Sequence, residues 1–233
     1  MSYLILNGSP SNQIPGLLIQ KLAPISLPPV RTQVETIDGR DGDIVTRLGY
    51  GAYDKQVSIG LHGDFDIDQI IEYFASEGTV IFSNEPDKYY KYQILNQIDF
   101  ARLIRFRTAT VTFHVQPFKY SADETPASAS TSPLTVENLG NTFAKPKITI
   151  TGSGTVSLYL NSTQIFTINM GTPEIEIIID IDAMNAFDES GNLMNRSVTG
   201  NYESFVLPKG ENTISWSGGT VSGVSVENYS RWL

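Results

Sequence analysis

The chain has 233 residues, a formal net charge of -9 and no cysteine. That length holds one large β domain or two modest ones, each with its own core. The acidity argues against a protein that clamps nucleic acid or an anionic membrane, and the missing thiols exclude disulfides, thiolate zinc sites and cysteine nucleophiles.

The opening "MSYLILNGSP" lacks a basic stretch, and its apolar run is too short for a secretory signal. No segment approaches the roughly 20 apolar residues of a membrane-spanning helix, so a soluble chain without a membrane partner is expected. A reducing compartment fits the absence of thiols.

The stretch "VETIDGRDG", Val34 to Gly42, sets two glycines around an Arg-Asp pair. A phosphate-cradling glycine loop must lead into a helix whose N-terminus faces the anion. The next residues, "DIVTRLGYGAYDKQVSIGLHG", alternate like a strand instead. The stretch is therefore expected to be a tight turn between strands, with glycine supplying positive φ.

One segment departs from period two. "DFDIDQIIEYFASEG" places Ile67, Ile70, Ile71 and Phe74 at helical spacing, with Asp66 or Asp68 suited to cap the start and Gly78 just past the end. The spacing predicts one short helix packed on a sheet. The acids Asp64, Asp66 and Asp68 do not make a calcium loop: the sixth position is Gln69 rather than glycine and the twelfth is Ala75 rather than glutamate.

Arg102, Arg105 and Arg107 in "ARLIRFRT" form the one basic spot of an acidic chain. A solvated strand end explains them. The alternative is contact with an acidic face of another subunit, where guanidinium groups fix orientation. Next, "TVTFHVQPF" turns Val111, Phe113 and Val115 inward and Thr110, Thr112, His114 and Gln116 outward. Such alternation is the mark of a half-buried antiparallel strand.

"SADETPASASTSP", Ser121 to Pro133, lacks large apolar residues and reads as a linker or an exposed crossing. Strand alternation resumes in "TVSLYL", with Val156, Leu158 and Leu160 on one face, and in "EIEIIID", with Ile175, Ile177 and Ile179 on one face. The expected organisation is residues 1–120 as a β domain carrying the helix, 121–133 as the crossing, and 134–233 as a second β-sandwich.

Candidate chemistry is sparse. Ser-His-acid catalysis needs a histidine within reach of a nucleophile, and only His62, in a turn, and His114, on a strand's polar face, are present. No catalytic residue, cofactor or metal site is assigned. "DIDAMNAFDESGNLMN" offers oxygens from Asp180 to Asn192, and a polar connection with a turn explains them more simply than calcium. Tyr159, Trp216 and Trp232 are candidate glycan-stacking rings, against the commoner role of closing a core or an interface.

Taken in order, several segments resemble the distal tail proteins (Dit) of long, non-contractile-tailed phages of Gram-positive bacteria. They are "IDGRDGDIVTRLGYGAYDKQVSI", "IIEYFASEGTVIFSNEPDKYYKYQIL", "TVTFHVQPFKYS", "NLGNTFAKPKITITGSGTVSLYLN" and "FVLPKGENTISWSG". The resemblance runs nearly end to end. It implies an all-β fold with one short helix: an N-terminal ring-forming β-sandwich and a C-terminal galectin-like or carbohydrate-module-like sandwich. It further implies a structural, non-enzymatic role at the distal end of a virion tail, assembled in the host cytoplasm.

In that role six copies close into a ring that joins the tail tube protein to baseplate or tail-tip and receptor-binding proteins. DNA passes through the ring only as cargo. The arginine group Arg102, Arg105 and Arg107 is the candidate subunit contact. A carbohydrate-binding module that aids attachment to the cell wall is the alternative function, and a cell-wall hydrolase a third.

Overall fold

The computed structural model describes residues 2–233. The chain divides into two compact units, the first running to Ala122 and the second covering Asp123–Trp232.

The first unit contains β1 (Leu4–Leu6), β2 (Ser9–Pro10), β3 (Leu17–Lys21), β4 (Val30–Thr36), β5 (Asp43–Tyr50), β6 (Tyr53–Leu61), α1 (Ile67–Phe74), β7 (Gly78–Phe82), β8 (Lys88–Gln93), α2 (Phe100–Phe106) and β9 (Thr108–Ser121). Its main sheet is antiparallel in the order β2-β1-β7-β8-β9-β6-β3. β4 and β5 pair only with each other. Val111, Phe113 and Val115 are fully buried along β9, on the face their alternation predicts.

Aromatic side chains build this core. Phe113 meets Phe82, Tyr92 and Phe74 edge-on, with ring centroids 5.7, 5.2 and 6.5 Å away. Edge-to-face contact sets the positive rim of one ring against the negative face of the next. Helix α1 supplies Ile70, Tyr73 and Phe74 to this core. Its start is capped as expected: Asp66 Oδ1 accepts from the backbone N–H of Asp68 and Gln69, at 3.0 and 3.4 Å. The helix ends at Phe74, before Gly78. Gly78 instead opens β7 with φ +137°, where a Cβ would lie 2.2 Å from Asn7 Oδ1.

A second helix stands where only one was predicted. α2 occupies the segment read as a strand end. Asp99 caps it by accepting from Arg102 N–H at 2.8 Å, and Arg107 ends it in the left-handed region at φ +56°. Leu103 of α2 is buried and Phe100 packs part-buried against the core, but the helical spacing of Phe100, Leu103 and Ile104 lasts for only seven residues, too short a run to be told from a strand by periodicity.

The second unit contains β10 (Ala127–Ala129), β11 (Leu134–Asn138), β12 (Lys147–Ser153), β13 (Thr155–Leu160), β14 (Thr163–Asn169), β15 (Ile175–Asp180), β16 (Asn185–Phe187), β17 (Val198–Gly200), β18 (Gly210–Ser217), β19 (Thr220–Glu227) and β20 (Arg231–Trp232). Two five-stranded antiparallel sheets form it, in the orders β10-β19-β12-β15-β16 and β11-β18-β13-β14-β17. Ile148, Ile150, Ile177 and Ile179 of one sheet share a buried core with Val156, Leu158, Phe166 and Ile214 of the other. This is sandwich packing, with alternate residues of both inner faces facing one another.

The segment expected as a linker or exposed crossing contributes to this unit from Asp123 onward. Ala127–Ala129 forms edge strand β10 on β19. Both Glu124 carboxylate oxygens accept from Ser230, one from its backbone N–H at 2.7 Å and one from its hydroxyl. Alternating Ala and Ser add little to a core, so composition made the strand look like loop.

Candidate assembly surfaces

The chemistry-bearing residues are dispersed. Among the described residues no group of three or more His, Cys, Asp or Glu side chains gathers to hold a metal ion. His62 is exposed, and His114 Nδ1 lies 2.8 Å from Asp54 Oδ1 across the β6–β9 ladder. In the "DESGN" turn, Asp188 accepts from the backbone N–H of Ser190 and Asn192 and from the Asn192 side chain, all at 2.8–2.9 Å. Those donors, the Asn192 side chain first, hold its carboxyl below the usual carboxylate range. No helix among the described residues is long and apolar enough to cross a membrane.

The three candidate stacking rings do not form one platform. Leu158 stands directly opposite Trp216 in the β13–β18 ladder, and Tyr159 stands opposite Ser215. Facing residues share a sheet face and neighbours along a strand alternate. Trp216 therefore lies on the inner face with buried Leu158, packed against the core, while Tyr159 lies on the outer face. Trp232 sits in the terminal strand β20.

Arg102 and Arg105 line one shallow depression with Asp99, Ala101 and Phe106, and Arg107 follows directly after the helix. Arg102, Arg105 and Arg107 are all exposed on and just after α2. Arg105 lies over the Phe106 ring at 5.2 Å and Arg107 over Phe65 at 4.8 Å. Stacking on a ring keeps a guanidinium extended while leaving its N–H groups free for a carboxylate. None of the three forms an ion pair among the described residues. Ile104 and Phe106 are exposed between them.

The hairpin β4–β5 is the second unusual surface. Every residue of β4 is exposed. The register runs from Val30 opposite Tyr50 to Thr36 opposite Asp43, and the "IDGRDG" segment closes the turn with Gly39 and Gly42 at φ +80° and +78°. None of its side chains joins the unit's buried core. Val30, Val34, Ile37, Val45 and Leu48 all stand exposed.

Sequence reading missed a buried ionic cluster. Lys119 Nζ donates to Glu85 Oε1 at 2.7 Å and Tyr90 OH donates to the other carboxylate oxygen. Nearby Lys55 Nζ donates to the Pro24 carbonyl at 2.8 Å and lies 5.0–5.7 Å from the rings of Tyr90, Phe82 and Tyr53. Burial first pushes the Lys55 ammonium below the usual lysine range, while the Glu85 charge opposes that fall. Glu85 and Tyr90 belong to "EPDKYY" and Lys119 to "PFKY", two segments that carried the family resemblance. The cluster joins them across β8 and β9.

These features define a mostly β chain of two units, a helix-bearing sheet with a free hairpin followed by a five-on-five sandwich. The Dit protein of phage SPP1 (gp 19.1) has this fold, with a TM-score of 0.67 and 18% identity over 97% of this chain and 97% of that one. SPP1 Dit is described as a paradigm of the hub adsorption apparatus in phages that infect Gram-positive bacteria. The baseplate of phage P2, in its activated conformation with calcium, contains a chain matched at TM-score 0.48 and 6% identity, with 97% of each chain covered. No protein-family model and no curated protein matches the sequence.

Proposed function

We propose that this protein is a structural hub at the distal end of a siphophage tail. Six copies close into a ring through their first units, join the tail tube to the baseplate or tip proteins, and leave an axial passage for DNA. The protein acts through the surfaces it presents to its neighbours, not through a reactive group. The observation that carries this reading is the shared fold with SPP1 Dit across 97% of both chains, a match that takes in both units of this chain.

Physical features support it independently. The hairpin and the arginine helix are two different exposed surfaces, and a ring needs two unlike patches on every subunit. A net charge of -9 suits a conduit for DNA, because a basic wall would hold the passing duplex by its phosphates. Negative-stain images of the purified chain test the reading. Closed rings with a central opening are expected. Compact single particles at every concentration would refute it.

A further inference from the structure

The β4–β5 hairpin and helix α2 are complementary in charge and in apolar exposure. Between Glu35 and Asp43 the hairpin carries four carboxylates, Glu35, Asp38, Asp41 and Asp43, against one cation, Arg40. Glu35 accepts from Gln33 Nε2 at 2.8 Å and Asp43 from Thr36 Oγ1 at 3.3 Å. No carboxylate at this end forms an ion pair among the described residues. The three arginines at α2 are likewise unpaired.

Apolar groups accompany both charges. Val34 and Val45 face each other in register and are 55% and 62% exposed, while Ile104 and Phe106 of α2 are 46% and 61% exposed. An isolated two-stranded hairpin is marginal in water, and both its outer edges offer unpaired backbone groups. Exposed apolar side chains grouped on such an element mark a contact surface.

We propose that the acidic end of the hairpin of one copy docks on α2 of the next. Asp38 and Asp41 of the turn, with Asp43, meet the arginines, and Val34 and Val45, on the same face of the ladder as Asp43, cover Ile104 and Phe106. This rests on the ring reading and adds which surfaces meet. A second copy is the occupant because the chain carries both halves of the match. A two-fold contact between the acidic ends would set four carboxylates against four, whereas docking on α2 of the next copy pairs opposite charges and runs head to tail, the arrangement that closes rings.

The test is a charge swap. Arg105→Glu with Arg107→Glu makes one variant, and Asp38→Lys with Asp41→Lys makes the other. Each alone is expected to raise the concentration at which the protein assembles by about tenfold or more, as losing an interfacial charge pair does. In an equimolar mixture every joint again pairs opposite charges, with the two variants alternating around an even-numbered ring. Assembly is then expected to return to within about threefold of the unmodified protein. A chain carrying all four substitutions recovers in the same way.

Either variant assembling as readily as the unmodified protein overturns the proposal, since the hairpin then faces another protein. Failure of the mixture to recover, with both variants folded by circular dichroism, overturns it too. Should a variant not fold, amide hydrogen exchange on the unmodified protein decides. Assembly is expected to protect residues 35–43 and 101–107 together, and no protection in either segment contradicts the docking. An unmodified chain that never self-associates refutes the ring reading itself. A ring indifferent to the swap refutes only this contact.

Discussion

Replacing Glu85 by Gln removes one charge from the buried cluster of the first unit while keeping an acceptor for Tyr90. The side chains of Glu85 and Lys119 are only 9% and 8% exposed, so solvent screening reduces their interaction little. Breaking a buried pair by removing one partner costs about 3–5 kcal/mol. The escape open to a stranded lysine sets a ceiling: shedding its proton at neutral pH costs about 4.6 kcal/mol from an ordinary lysine value. The expected loss is therefore about 3–4 kcal/mol, read as a lower urea midpoint at unchanged slope. Lys119→Met alone is expected to cost about 2–3 kcal/mol, because Lys55 remains to face the Glu85 carboxylate. The double variant removes both charges and is expected to cost less than the sum by about 1.5 kcal/mol or more. A Glu85→Gln protein within about 0.5 kcal/mol of the parent, or strictly additive losses, would refute the cluster as a joint between β8 and β9.

Asp66→Ala removes the cap of α1 and is expected to cost the first unit about 1 kcal/mol, measured by the same urea series. Trp216→Ala is expected to destabilise the second unit by about 2 kcal/mol, whereas Tyr159→Ala on the outer face stays within about 0.5 kcal/mol; equal losses would contradict the face assignment. Alkaline pH separates the folded and unfolded states. Burial pushes the Tyr90 and Tyr73 hydroxyls well above the ordinary value of 10.0, and Tyr53, Tyr92 and Tyr202 rise for the same reason. Above that value the unfolded chain loses tyrosine protons that the folded chain keeps, so stability is present below it and falls as pH rises. Lys55 acts in the opposite sense just below 10.5 but is one group against five. The urea midpoint is therefore expected to drop as pH passes 10, with the tyrosinate absorbance of these five rings appearing on unfolding.

How each element meets the core decides how legible it was in the sequence. The inner strands of the second unit bury one face, as Val156, Leu158 and Leu160 do on β13, so period two was enough to place them. Helix α1 buries Ile70, Tyr73 and Phe74 and has a carboxylate cap, two signals that agree. α2 spans only seven residues, so the helical spacing of Phe100, Leu103 and Ile104 is too short a run to be told from a strand end. The turn at Gly39 and Gly42 was readable, but the isolation of its hairpin was not, because Val34 and Val45 alternate just as they would in a packed sheet. Glu85, Lys119 and Lys55 resemble surface charges in sequence. Only the sheet order that sets β8 and β6 on either side of β9 brings them together in the interior. The three arginines were recognised as a group, whereas their acidic counterpart was visible only once the hairpin stood free of the core.

Native mass spectrometry of the purified chain across a concentration series tests the central claim most directly. The account predicts a single dominant assembly with six times the 25.7 kDa mass of the chain, dissociating as ionic strength rises because charge pairs help close it. A monomer that persists at every concentration, or an open series of masses without closure, would contradict it.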